Sequence, residues 1–425
     1  MKAKFTLKIE GLFGQFDYKI VLDEQYKFLT GLNGSGKTTI LNILDALSKQ
    51  NLCFFKDIPF SLIKYEDENT YIHLEKEDNK ISLKNKNKKS IWEVAISELN
   101  EIEKDESLGL HYIKIADVYV DYFDNKKIFS RNDLYIKSDR GRLFFEKCPR
   151  IKYNMFHIGD FRLIKIGGIH YLHKKTTNEI TVEDLFDETI FLYSELLKEI
   201  LNKTLSDNAK IANSLDRSFP QRLLESTKSG KKISKKEFDR RLKKIQLFQD
   251  KFVHYFNQGQ VSNALAEFNE ETAATLYVYM NDMEEKQEGY RDIIEKLDLF
   301  VSAIQSKHFA NKEMNIDSEN GIMFKTIDGN NTNIKPTDLS SGEKQEVILL
   351  YDLLFNMQED TVLLIDEPET SFHVAWAKAF MNDMEKILKL KKCQALIATH
   401  SPFIIGERWD HAIDLTKMAE SWKRG

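Results

Sequence analysis

The run Gly31-Leu32-Asn33-Gly34-Ser35-Gly36-Lys37-Thr38 fits G-x-x-x-x-G-K-[ST] in full. Glycines at these places let successive backbone N–H groups turn inward around anionic oxygens. Lys37 is then placed to reach the β- and γ-phosphates of a nucleotide, and Thr38 to offer its hydroxyl to Mg²⁺. The apolar run Tyr26 to Leu29 precedes the loop. Ile40, Leu41, Ile43, Leu44 and Leu47 follow it at helical spacing. This order of strand, glycine loop and helix aims the positive end of the helix at the anion. Asn33, Gly34, Ser35, Gly36, Lys37, Thr38 and Thr39 are therefore the candidate phosphate-binding residues.

A second cluster lies near the other end. Thr361-Val362-Leu363-Leu364-Ile365-Asp366-Glu367-Pro368 is an apolar strand pattern that ends in two acids. Asp366 suits a Mg²⁺ ligand acting through water. Glu367 suits a general base that polarises an attacking water. Ahead of it stands Leu339-Ser340-Ser341-Gly342-Glu343-Lys344-Gln345, where Ser-Ser-Gly is also an ordinary helix cap. After it, the apolar run Ala395 to Ala398 leads into Thr399-His400-Ser401-Pro402.

In that order the four motifs look like those of the ABC-type ATPase superfamily, which includes SMC-like repair proteins and OLD-family ATPases. L-S-S-G-E stands here where the family signature reads L-S-G-G-Q. The run "LSSGEKQEVILLYDLLFN", "LLIDEPETSFHVAW", "IATHSPFIIGERWDHAIDL" resembles ATPase subunits of bacterial anti-phage systems such as Septu, PARIS and retron-linked defence. The motif-bearing match covers roughly residues 1–50 and 335–416.

The resemblance implies an ABC-type P-loop ATPase head that binds ATP and Mg²⁺ and hydrolyses ATP. It makes Glu367 and His400 catalytic, with His400 against the γ-phosphate. It makes Ser341, Gly342 and Glu343 contacts to the nucleotide of a facing head. Thr38 and Asp366 become the metal ligands. Glu369 matches the second acid of the family's D-E-P-E run. His373 matches a following histidine, with Phe372 where many members have Leu. The chain also departs from the pattern. No D-loop aspartate is evident. At Phe156 to Leu163 relatives carry Gln-Arg-Leu; here Phe161 replaces the Gln, Arg162-Leu163 remain, and either Asp160 or a nearby water is the candidate to replace that ligand.

One chain carries one phosphate loop and one signature, so the resemblance implies a head-to-head dimer or higher oligomer. After His400 little chain remains for a fused nuclease, which points to a separate effector protein such as a nuclease, with a phage protein or nucleic acid as trigger. The alternative is an SMC-like DNA-repair or DNA-clamping ATPase. A transporter ATPase fits less well with a long helical insertion and a divergent signature.

The elements that must position these residues give an α/β fold: one head formed by both chain ends, with a mainly helical insertion. The expected division is 1–180 for the N-terminal part of the head with a β-rich segment, 181–312 for the helical insertion, and 313–425 for the C-terminal part. Strand patterns cover Phe5 to Glu10, Tyr18 to Leu22, Thr70 to Glu75 and Val118 to Phe123. Ser234-Lys235-Lys236-Glu237 reads as a capping box, and Phe238, Leu242, Ile245, Phe252 and Phe256 mark one apolar stripe. Another helix is predicted from Asp292 to Gln305. With no sustained heptad, a short helical arm is expected rather than a long coiled coil. Strand character returns over Met314 to Thr326, followed by a turn at Asp328-Gly329-Asn330.

The net charge of −5 argues against a wholly basic nucleic-acid binder. The stretch Lys228 to Lys244 is locally basic, as is Lys84 to Lys89, and each suits either a phosphate contact or a solvated face. No apolar run is long enough to cross a membrane, no signal peptide opens the chain, and Cys53, Cys148 and Cys393 form no disulfide framework. A cytoplasmic protein without a membrane partner is expected. His170 and His173 are weak metal candidates. Phe13, Phe16 and Tyr18 are candidates to stack on a base, although each also suits the core.

Overall fold

The computed structural model describes residues 3–104, 112–115, 118–121, 128–130, 139–159, 182–257, 268–307, 309, 311–327, 332–371 and 374–423. The chain forms two compact units, Met1–Arg162 with Met357–Gly425, and Leu163–Asn356. These limits fall at 162 and 357, where the sequence reading divides the chain at 180 and 312.

In the first unit the central feature is a five-stranded parallel sheet. Its order is Met155–Ile158, Val362–Asp366, Gln394–Ala398, Tyr26–Thr30, Ala412–Asp414. Val362–Asp366 and Gln394–Ala398 are buried at every position. Strands covered on both faces lose the polar alternation and read as unbroken apolar runs. Tyr26–Thr30 passes through the loop into helix Lys37–Ser48, which buries Ile40, Leu41, Ile43, Leu44, Ala46 and Leu47.

A second, antiparallel sheet runs in the order Phe16–Leu22, Phe5–Leu12, Leu62–Asp67, Tyr71–Glu77, Lys80–Lys84, Ser90–Ala95. Phe5, Leu7 and Ile9 point into the core while Thr6 and Lys8 are partly exposed, as a half-buried strand requires. Gln394 ties the two ends of the chain together: its amide donates to the carbonyl of Ala3 at 3.0 Å.

The second unit is built on helices Val182–Lys228, Lys235–Phe256 and Ala273–Ser306, with the first and second packed on the third. The first is 47 residues and the third 34, so the arm is longer than the missing heptads suggest. Small and polar contacts replace the heptad seam. Asn208 donates its side-chain amide to the carbonyl of Gly289 at 3.1 Å, and a Cβ on Gly289 would stand 1.7 Å from Asn208 Oδ1. Arg222 reaches back to the carbonyl of Leu215 at 2.6 Å and across to Asp282 Oδ2 at 2.8 Å, close to Pro220, which removes one rung from the helix.

Strands Lys312–Asp317, Gly321–Thr326 and Asn333–Ile334 form a small antiparallel sheet. Asp317 turns the first hairpin by accepting the backbone N–H of Glu319 at 2.9 Å and of Asn320 at 2.7 Å. The turn expected at Asp328-Gly329-Asn330 lies outside the described residues. Helix Ser341–Tyr351 follows, anchored by the stacked pair Tyr193 and Tyr351 at 4.2 Å and by the Tyr193 hydroxyl on Asp352 at 2.7 Å.

Candidate functional site

The parallel sheet brings the chemistry of the first unit to one edge. Asp366 pairs in register with Ala398, and Ala398 with Leu29. The acid pair, the Thr399-His400 turn and the glycine loop therefore leave the sheet side by side at the carboxyl ends of neighbouring strands, where open α/β sheets bind ligands. Two cross-links keep the edge aligned. Glu367 donates its N–H to Ala398 at 2.9 Å, and Thr399 donates its N–H to Leu29 at 3.1 Å.

In the loop, Gly34 and Gly36 sit at φ 81° and 85°, the left-handed region that glycine enters without steric cost. A Cβ on Gly36 would stand 3.0 Å from Leu12 Cδ2. Helix Lys37–Ser48 starts at Gly36 with no side-chain cap and no acid in its first turn, so its first N–H groups are left for an anion. Ser35 Oγ is buried without a hydrogen-bond partner among the described residues. Two supports hold the loop from outside: the Tyr18 hydroxyl donates to the Ser35 carbonyl at 2.7 Å, and the Leu32 N–H donates to Thr416 Oγ at 3.3 Å. Neither was visible as a loop support in the sequence, because both act from distant elements.

Lys37 is 5% exposed. Its Nζ contacts His400 Nε2 and lies 3.7 Å from Glu367 Oε1, while His400 Nε2 lies 3.1 Å from the same oxygen. Burial lowers the pKa of Lys37, and the neighbouring acids oppose that shift. Burial, followed by the Lys37 charge, lowers the pKa of His400. The Glu367 carboxyl is pushed up to about 7, first by burial and then by the charge of Glu369. A carboxyl in that range is matched to proton transfer near neutral pH. Glu367 also holds a left-handed backbone at φ 43°, unusual for a residue with a side chain.

Glu369 has a role that the sequence did not disclose. Its Oε1 accepts the Thr399 hydroxyl at 2.6 Å and the N–H groups of His400 and Ser401 at 2.9 Å each. One carboxylate thus fixes the turn that carries His400. An acid beside the acid pair was the only signal in the sequence, and it could not reveal a partner thirty positions away.

The residues fit the phosphates of a nucleotide. The uncapped helix start, the two left-handed glycines, the unpartnered Ser35 hydroxyl and the buried Lys37 form a cradle for an anion. Mg²⁺ fits the donor set of Thr38, exposed in the first helical turn, and Asp366, fully buried at the strand end. Hydroxyl and carboxylate oxygens are hard ligands suited to Mg²⁺, which takes further oxygens from phosphate and water. Among the described residues no group of three or more His, Cys, Asp or Glu could hold a metal alone.

Other sequence candidates are placed as follows. Ser341, Gly342 and Glu343 open helix Ser341–Tyr351 in the second unit. Glu343 is buried and already engaged: it accepts the Ser340 N–H at 2.9 Å and pairs with Lys312 at 2.7 Å. Asn33 and Thr39 stand at the two sides of the loop, exposed and half-buried. Of the three aromatics, Tyr18 is in the core, whereas Phe13 is 41% exposed, with its ring 3.6 Å from the position of a Cβ on Gly36. Asp160, Phe161, Arg162, Leu163, His170, His173, Phe372 and His373 lie outside the described residues.

No described helix is long and apolar enough to cross a membrane. Among curated proteins none matches the chain. A solved structure of the Smc head domain with an extended coiled coil, bound to the C-terminal domain of ScpA, from Pyrococcus furiosus, aligns over 96% of this chain and 92% of that one. Its identity is 14% and its TM-score 0.35, a likeness too distant to carry an argument. The family model described as AAA ATPase domain matches residues 6–405; the chain belongs to that family.

Proposed function

We propose that the chain is an ABC-type ATPase that binds and hydrolyses ATP with Mg²⁺ in the cytoplasm. In this reading it is the nucleotide-controlled subunit of an anti-phage defence complex and governs a separate effector protein, such as a nuclease. The observation that carries the ATPase reading is the convergence of Lys37, Glu367 and His400 beside an uncapped glycine loop. The resemblance of the C-terminal run to defence ATPases supports the biological setting.

Backbone N–H groups over Asn33 to Thr39 hold the phosphates. Lys37 swings its ammonium from His400 and Glu367 onto the β- and γ-phosphate oxygens. That departure removes a cation from Glu367, whose carboxylate then takes a proton from the attacking water. His400, kept neutral, contacts the γ-phosphate from the turn that Glu369 fixes. Thr38 and Asp366 hold Mg²⁺, which neutralises charge on the phosphates. Ser341 and Gly342 of a second copy meet the same nucleotide through backbone N–H groups. Glu343 shapes that helix start rather than touching ATP, because its carboxylate is occupied by Ser340 and Lys312.

The test is light scattering after size exclusion on Glu367→Gln, with and without ATP and Mg²⁺, alone and with the product of an adjacent gene. Hydrolysis should fall by about 10²–10⁴-fold, with an ATP-dependent dimer or larger assembly that retains the neighbour. Normal hydrolysis would sink the general-base role. A particle indifferent to ATP and to the neighbour would sink the nucleotide-gated scaffold.

One observation favours a second reading, an SMC-like DNA-clamping ATPase. The 47- and 34-residue helices make an arm of about 50–70 Å at 1.5 Å per residue. DNA-stimulated hydrolysis without any effector protein would favour it.

A further inference from the structure

We propose that the turn and helix face from Lys228 to Lys244 bind the phosphate backbone of nucleic acid without reading its sequence. This site is separate from the ATP site and does not depend on the ATPase reading. The segment holds nine Lys and Arg against two acids, in a chain whose net charge is −5. Eight of the nine, Lys228, Lys231, Lys232, Lys235, Lys236, Arg240, Lys243 and Lys244, are exposed. None of the eight forms an ion pair among the described residues. The ninth, Arg241, is turned inward and fixed by Glu284 at 2.8 Å. The other basic stretch, Lys84 to Lys89, is smaller, with four lysines, of which Lys84 pairs with Glu75 and Lys86 lies over the Tyr71 ring.

The face is built rather than loose. Helix Val182–Lys228 closes with Lys231 donating its N–H to Ser226 at 3.2 Å, around Gly230 at φ 67°. Ser234 caps the next helix by accepting the Glu237 N–H at 3.3 Å. Ile233 before the cap and Phe238 after it share one apolar cluster with Ile245, Leu276 and Met280, a hydrophobic staple that fixes the entry angle. With Phe238, Arg241 and Ile245 facing inward, Lys236, Arg240, Lys243 and Lys244 lie together on the outer face. These cations span about 12 Å of helix, within reach of several successive phosphates. Holding so many like charges together without counterions costs stability, and polyanion binding relieves that repulsion.

The surroundings point to nucleic acid rather than to a membrane or a protein. A membrane-surface helix needs its apolar face free to enter the lipid; here that face is packed against helix Ala273–Ser306. Protein interfaces centre on aromatic and aliphatic anchors; every exposed residue of this segment is polar or glycine. Phosphate contacts need only cations.

The experiment is fluorescence anisotropy of the full chain with a short labelled DNA duplex, its single strand and the matching RNA, across about 50–200 mM salt. The expected result is binding that weakens with salt and is insensitive to sequence. The variant Lys232→Glu, Lys236→Glu, Arg240→Glu, Lys243→Glu should lose about tenfold or more in affinity and flatten the log–log salt slope by about 3–4. A milder set, Lys236→Gln, Arg240→Gln and Lys243→Gln, keeps good helix formers and should fall between. Thermal melting and ATP hydrolysis of the same preparations separate misfolding, or failure of the ATPase reading, from failure here. No binding by the wild type to any of the three nucleic acids overturns the proposal. Folded variants that bind like the wild type also overturn it, as does a segment that captures only an acidic protein.

Discussion

Two helices of the molecule begin in opposite ways. Helix Lys37–Ser48 starts from a left-handed glycine with no side-chain cap and no acid nearby. Helix Ser341–Tyr351 starts with a complete capping box, Ser340 and Glu343 satisfying each other's backbone N–H groups, and Lys312 neutralises the acid. An N-cap side chain is worth about 1 kcal/mol, so the first helix forgoes stability that the second takes. The uncapped start is stable as a place for an anion. The capped start supports itself, and leaves the N–H groups of Ser341 and Gly342 as what it can offer a ligand.

That contrast gives the order of expected effects. Lys37→Ala removes the one buried cation of the uncapped start and should reduce phosphate release by about 100-fold or more. Steady turnover by this variant would break the comparison at its strongest point. Glu369→Ala frees the turn that carries His400. It should lower kcat about tenfold with little change in KM, since misplacement of a catalytic group acts on the chemical step. Glu369→Gln retains an accepting oxygen and should restore part of the loss.

A pH series sharpens the same contrast. The Glu367 carboxyl titrates near 7 in the fold against an ordinary 4.5. Between those values the folded chain holds the extra proton, so stability falls as pH rises. The contribution is complete below 4.5 and gone above about 7, and burial is its main cause. Melting of the ligand-free wild type should therefore decline across this window, and Glu367→Gln should flatten the decline. Glu343 is shifted the other way: Lys312 and the Ser340 N–H lower its pKa against the opposing effect of burial. The smallest effect is expected for Ser340→Ala, about 1 kcal/mol or a few degrees in Tm, with nucleotide binding by the phosphate loop retained. A lost ATP site in that variant would mean that the two helix starts are coupled.

Parts of the fold were readable from residue pattern alone. Phe5, Leu7 and Ile9 alternate, Val362 to Ile365 run apolar without a break, and Ile40 to Leu47 repeat at helical spacing; each pattern reports the surface its element buries. The phosphate loop was legible because Gly34, Gly36 and Lys37 depend on local backbone geometry. The length of the arm was not, since Asn208 against Gly289 and Arg222 on Asp282 replace a heptad seam with contacts that have no period. Ser234 does cap its helix, but Glu237 turns to Arg241 at 3.7 Å instead of completing the box. Glu369, Thr416 and Tyr18 escaped notice as supports of the site for one reason: each acts through a partner far away in the chain, and sequence spacing cannot show such pairs.

The parallel sheet also sets a timetable for synthesis. Among the described residues Leu29 finds its sheet neighbours in Ala398 and Ile413. At about 5–20 residues per second, a ribosome needs roughly 20–75 s to travel between the first of these residues and the second. Through that interval Phe28 and Leu29 belong to a strand with no mate, next to a glycine loop ready for phosphate. Pairings so remote in sequence form slowly, and the half-made chain carries an open edge of the sort that recruits other strands. The nascent chain is thus the form of this protein most in need of a chaperone.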